Sequence, residues 1–132
     1  LFNRDGGPTP PIGISVPQAM YDDFVEICKP VKNINPDFPF EVKVAKPRKR
    51  PTSTGGTDAS VFAVEGVPTY GFTTDDIKGY NFSYGEIWHT ERDLYTKNIP
   101  EYQEHTAVVT AIVALGVANL DKQLSREGMY KE

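Results

Sequence analysis

His89 stands in Glu86-Ile87-Trp88-His89-Thr90-Glu91-Arg92-Asp93, at the end of a loop and ahead of a helix, where an imidazole can point into a cleft. Asp5 follows Leu1-Phe2-Asn3-Arg4 and precedes Gly6-Gly7-Pro8, so a carboxylate sits where an apolar strand gives way to a turn. α/β sheets place ligands at such strand ends. Two histidines and one cysteine leave carboxylate and imidazole metal ligation as the main route to catalysis. Each residue also has an ordinary reading: His89 can hydrogen-bond a backbone carbonyl, and Asp5 can cap the Gly6-Gly7 turn. Glu91, two residues after His89, imitates the H-x-E of zinc deaminases, but a chain with Cys28 as its single cysteine cannot supply the C-x-x-C that chemistry requires. The sequence contains no G-x-S-x-G, no phosphate-binding Walker loop and no dinucleotide fingerprint.

Three further groups could bind a ligand. The Gly55-Gly56-Thr57-Asp58 turn lets backbone approach a ligand and opens a helix whose N-terminus favours an anion, or it is an ordinary helix cap. Tyr80, Phe82, Tyr84 and Trp88 alternate through the loop before His89 and either join the core or wall a specificity pocket. Lys43, Lys46, Arg48, Lys49 and Arg50 form a basic run that prolines interrupt and no aromatic interleaves, which reads as a solvated loop and not a nucleic-acid surface. His105 falls on a helix four residues before Val109 and reads as a satisfied helix-face histidine.

The elements that must position these residues follow from periodicity. Residues 1 to 4 read as a strand end, with Leu1 and Phe2 resembling the middle of a buried strand, as though the chain began inside a larger domain. Ser15 as N-cap and Pro17 in the first turn open a helix predicted over about residues 16 to 29, carried by Ala19, Met20, Phe24, Ile27 and Cys28. Phe40, Val42 and Val44 alternate with Glu41 and Lys43 as a half-buried strand. Thr57 or Asp58 caps a short helix that Gly66 stops, and Val67 to Phe72 is a compact strand-like run. Residues 99 to 121 are apolar nearly all round, which predicts a buried helix. The order is an α/β pattern with at least partly parallel pairing.

Composition sets the outer bounds. With 132 residues and 39% hydrophobic content, the chain can bury a single core. A net charge of −4 gives no global pull toward nucleic acid or anionic membrane, although residues 1 to 50 carry 8 Lys+Arg against 6 Asp+Glu. Cys28 alone excludes an intrachain disulfide framework, and no apolar run is long enough to span a bilayer.

Asn3-Arg4-Asp5-Gly6-Gly7, then Gly55-Gly56-Thr57-Asp58-Ala59-Ser60-Val61-Phe62, then Glu65-Gly66-Val67-Pro68-Thr69-Tyr70-Gly71-Phe72, then Trp88-His89-Thr90-Glu91-Arg92-Asp93 resemble, in order and spacing, the M28 family of zinc peptidases. The resemblance implies an α/β fold, part of an α/β/α sandwich with a mixed, mostly parallel sheet, of which residues 1–132 would be the C-terminal part. It implies a two-zinc exopeptidase centre, an aminopeptidase or a carboxypeptidase, in which Asp5 binds one metal and His89 the other. Gly56, Thr57, Tyr80, Tyr84 and Trp88 would then contact a peptide substrate. Trp88 stands where the family more often has Tyr, Asp93 falls where an Asp is usual, and Leu94 replaces a Thr common after it. The remaining metal ligands and the general-base Glu would lie upstream of Leu1, so the chain is expected to be inactive alone and to require the missing N-terminal part of the domain. An apolar sheet edge near Leu1 and Phe2 would invite homodimerisation. The family also implies an extracytoplasmic location. Other readings are a glutaminyl-cyclase-like acyltransferase with one zinc and a non-catalytic interaction module of the same fold.

Overall fold

The computed structural model describes residues 1–82 and 84–131. Three strands form one mixed sheet in the order β2-β1-β3: β1 (Pro11–Val16), β2 (Glu41–Val44) and β3 (Phe72–Thr74). β1 runs parallel to β2, with Ile14 opposite Val42, and antiparallel to β3, with Ile14 opposite Phe72. The helices are α1 (Tyr21–Cys28), α2 (Ala59–Val64), α3 (Tyr84–Ile87) and α4 (Pro100–Ala118), and α1 packs on α4 and on β2. None of these helices is long and apolar enough to cross a membrane. Ile14 and Val16 of β1, Met20, Phe24 and Cys28 around α1, and Val109 and Val113 of α4 form the centre of the core.

β1 lies between the Asp5 turn and residue 16, where the sequence suggests no strand. Ile12, Ile14 and Val16 alternate with Gly13 and Ser15, a strand pattern that Pro8, Pro10 and Pro11 obscure. Proline is tolerated at the first residue of a strand, which is where Pro11 stands, and a register irregularity between Pro11 and Gly13 absorbs it. Gly13 is needed because a Cβ there would lie 2.5 Å from the Glu41 carbonyl oxygen. Ser15, lying inside the strand, does not cap a helix. Chain reversal instead uses Pro17, whose carbonyl accepts from Met20 N–H at 2.9 Å, and a 3-10 turn over Gln18–Met20 before α1 begins.

The strand expected at residues 1 to 4 reduces to a single parallel bridge between Phe2 and Tyr70, held by Asn3 N–H to Tyr70 O and Tyr70 N–H to Leu1 O. β3 begins at Phe72, later than the Val67 start expected from hydrophobicity. α4 opens with Pro100 at its first position, as the fixed φ of proline favours. Its burial differs from expectation: Tyr102, His105, Val109 and Val113 are buried, while Val108 and Leu115, 63% exposed, face outward. His105 also departs from the satisfied helix-face histidine expected. It is 4% exposed, stacked on Phe38 with ring centroids 4.3 Å apart, and neither ring nitrogen has a hydrogen-bond partner among the described residues.

Candidate active site

Asp5 is held by its own turn. Asn3 donates from its side-chain amide to Asp5 Oδ2 at 2.6 Å, which leaves the other carboxylate oxygen without that claim on it. Arg4 donates its guanidinium to the carbonyls of Gly7 and Thr9, tying the loop after Asp5 back on itself. Burial lowers the Arg4 pKa and the Asp5 carboxylate opposes that shift, so a cation stands beside the acid. Gly7 has φ +69, and a Cβ there would sit 2.7 Å from the Phe82 ring, so the turn requires glycine on both counts.

His89 is positioned by the end of α3. Trp88 N–H donates to Tyr84 O at 2.9 Å and Thr90 N–H to Ile87 O at 3.0 Å, while the Thr90 hydroxyl reaches Glu86 O at 3.1 Å and Ile87 O at 2.9 Å. Thr90 thus satisfies carbonyls that the helix terminus would otherwise leave open. His89 itself adopts φ 55, a left-handed conformation uncommon outside glycine and costing energy that surrounding structure must offset. Its ring lies 4.5 Å from that of Trp88, and Trp88 in turn stacks on Tyr84 at 6.3 Å.

These two turns, 84 residues apart in sequence, border one cavity of about 780 Å³. Asp5 and His89 both line it, together with Asp93, Tyr84 and Trp88. Arg4, Lys97 and Asn98 also line it, residues to which sequence reasoning gave no role. Arg4 could have been found from its place in Asn3-Arg4-Asp5; Asn98 and Lys97 carry no sequence signal, because they reach the cavity through the 3-10 turn before α4. Among the described residues, no three His, Cys, Asp or Glu side chains gather closely enough to hold a metal. The donor types of Asp5 and His89 suit zinc, and the chain brings two such donors to one cavity.

The other expected contacts divide. Tyr80 lines a neighbouring cavity of about 500 Å³, which shares Ile87, Lys97 and Asn98 with the first. Its hydroxyl bonds Glu101, which also pairs with Lys78 at 2.7 Å. The loop carrying Tyr80 is organised by Asp76, whose carboxylate accepts from the Tyr102 hydroxyl at 2.7 Å and from the N–H of Tyr80 at 3.1 Å; the Tyr102 bond chiefly holds its pKa low. Gly56, with φ +84, and Thr57 are exposed in the turn before α2, where Ser60 accepts from Gly55 N–H at 2.9 Å, and neither borders the two cavities.

Compared with protein-family models, with known proteins and with solved structures, the chain matches none.

Proposed function

We propose that this chain is the C-terminal part of a zinc-dependent exopeptidase domain of the M28 type, in which Asp5 and His89 each contribute a ligand to a two-metal centre. The observation that carries the reading is their convergence: a carboxylate and an imidazole from opposite parts of the sequence border the same cavity. The positive φ of His89 supports it, since strained backbone concentrates where function requires a fixed side chain. Zinc held there would acidify a water molecule and polarise a peptide carbonyl. This chain's own residues would orient the substrate. Tyr84 and Trp88 offer an aromatic wall for a side chain, and Arg4 and Lys97 bring positive charge to the same cavity.

Zinc needs more ligands than Asp5 and His89, so the reading requires the rest, and a general-base Glu, from residues outside this sequence. The α/β/α sandwich would be completed by the same residues, which would also cover the outward apolar side chains of α4; a second copy of the chain would otherwise cover them. The test is His89→Ala in the longer protein that carries those ligands. Peptidase activity should fall by at least about a hundredfold and zinc content should drop with it. Unchanged hydrolysis would defeat the assignment. Cyclisation of an N-terminal glutamine peptide in place of hydrolysis would move the same site to the acyltransferase reading.

A further inference from the structure

We propose that a second pocket, at the carboxyl ends of β1 and β2, binds a phosphate group, either as free phosphate or as a small phosphate monoester. Parallel strands of α/β sheets leave ligand sites at their carboxyl ends. β1 ends at Val16 and β2 at Val44, where Ala45 N–H donates to Val16 O at 2.7 Å. Beside this junction lies a pocket of about 90 Å³, enough for a small tetrahedral oxyanion. It shares no lining residue with the Asp5 and His89 cavity.

Lys46, Arg48, Ser15 and Thr69 line the pocket, and among the described residues no carboxylate does. Neither Lys46 nor Arg48 forms an ion pair among the described residues, in a chain whose net charge is −4. Arg48 is held ready. Its backbone N–H donates to Met129 O at 3.2 Å, its carbonyl accepts from Lys131 N–H at 3.0 Å, and its guanidinium lies 5.9 Å from the Tyr130 ring centre. One guanidinium nitrogen donates to Thr69 Oγ1 at 3.1 Å. A guanidinium carries five N–H donors, so most remain for a ligand, and Thr69, accepting from Arg48, keeps its own hydroxyl proton to donate. A guanidinium tied to Thr69, with two hydroxyls and an ammonium on the same pocket, suits phosphate, which offers acceptors in several directions.

The test is an NMR titration of the chain with sodium phosphate against sodium chloride at matched ionic strength. Saturable shifts at the Ser15, Thr69 and Gly128 amides are expected with phosphate. Arg48→Gln should weaken binding about tenfold, the loss of one charge-assisted contact, and Lys46→Gln provides the same test should Arg48→Gln unfold. Lys49→Gln removes a neighbouring charge that does not line the pocket and should change affinity by less than about twofold. Glycerol phosphate binding more tightly than inorganic phosphate would identify a monoester ligand; equal or weaker binding would identify the free ion. The proposal is overturned if no saturable shift occurs, if Lys49→Gln weakens binding as much as Arg48→Gln, or if heparin alone binds, which would mean diffuse attraction of a polyanion. His89→Ala should leave phosphate binding intact whatever it does to hydrolysis.

Discussion

Among single residues, His105 ties folding to pH most directly. Its ring is buried and stacked on Phe38, with no hydrogen-bond partner for either nitrogen among the described residues, and burial pushes its pKa below the ordinary value. The unfolded chain therefore takes up a proton at about pH 6.5, before the folded one does. Stability from the neutral ring is complete above that pH and declines as pH falls below it. Urea midpoints measured from about pH 7.5 down to about pH 5 should drop for the natural chain. In His105→Leu the drop should be smaller, and an identical pH dependence in both would contradict the account. Lys78 also lies over the Phe38 ring, at 5.2 Å, and adds positive charge to the surroundings that the imidazolium would have to enter.

The joints between elements depend on two glycines. A Cβ at Gly13 would press on the Glu41 carbonyl in the β1–β2 ladder, and one at Gly116 would lie 2.5 Å from the Ile27 side chain where α4 crosses α1. Gly116→Ala meets a side chain that can yield, so we expect a loss of about 1–3 kcal/mol by denaturant unfolding. Gly13→Ala meets backbone and should cost more, and a variant as stable as the natural chain would show that the strands are not so closely joined. The same contrast governs what could be read beforehand. β2, α2 and α4 were legible because Phe40, Val42 and Val44 keep a period of two, Gly66 stops α2, and residues 99 to 121 form one long apolar stretch. β1, the central strand, was hidden because its prolines argue against a strand while its place beside both β2 and β3 is a long-range property that no local pattern records. The exposure of Val108 and Leu115 was equally illegible, since hydrophobicity states what could be buried and not what lies opposite to bury it.

For the molecule as a whole, the candidate site depends on a closure that joins its two ends. The bridge of Phe2 to Tyr70 brings the Asp5 turn alongside the sheet, and α3 with the 3-10 turn of Tyr95–Lys97 brings His89, Lys97 and Asn98 to meet it. Asp5, His89, Tyr84 and Trp88, which line the cavity, were singled out by residue type and context, and Arg4 stands in the same Asn3-Arg4-Asp5 segment; Lys97 and Asn98 were not, because only the chain path before α4 brings them there. The chain holds two histidines, one at the cavity and one in the core, which gives the central claim an internal control. NMR of the longer protein that carries the remaining ligands should show added zinc perturbing the His89 imidazole and the Asp5 amide together, over the same concentration range, and leaving His105 unchanged. Shifts at His89 with Asp5 unmoved, or no shift at His89, would contradict the assignment of both residues to one metal centre.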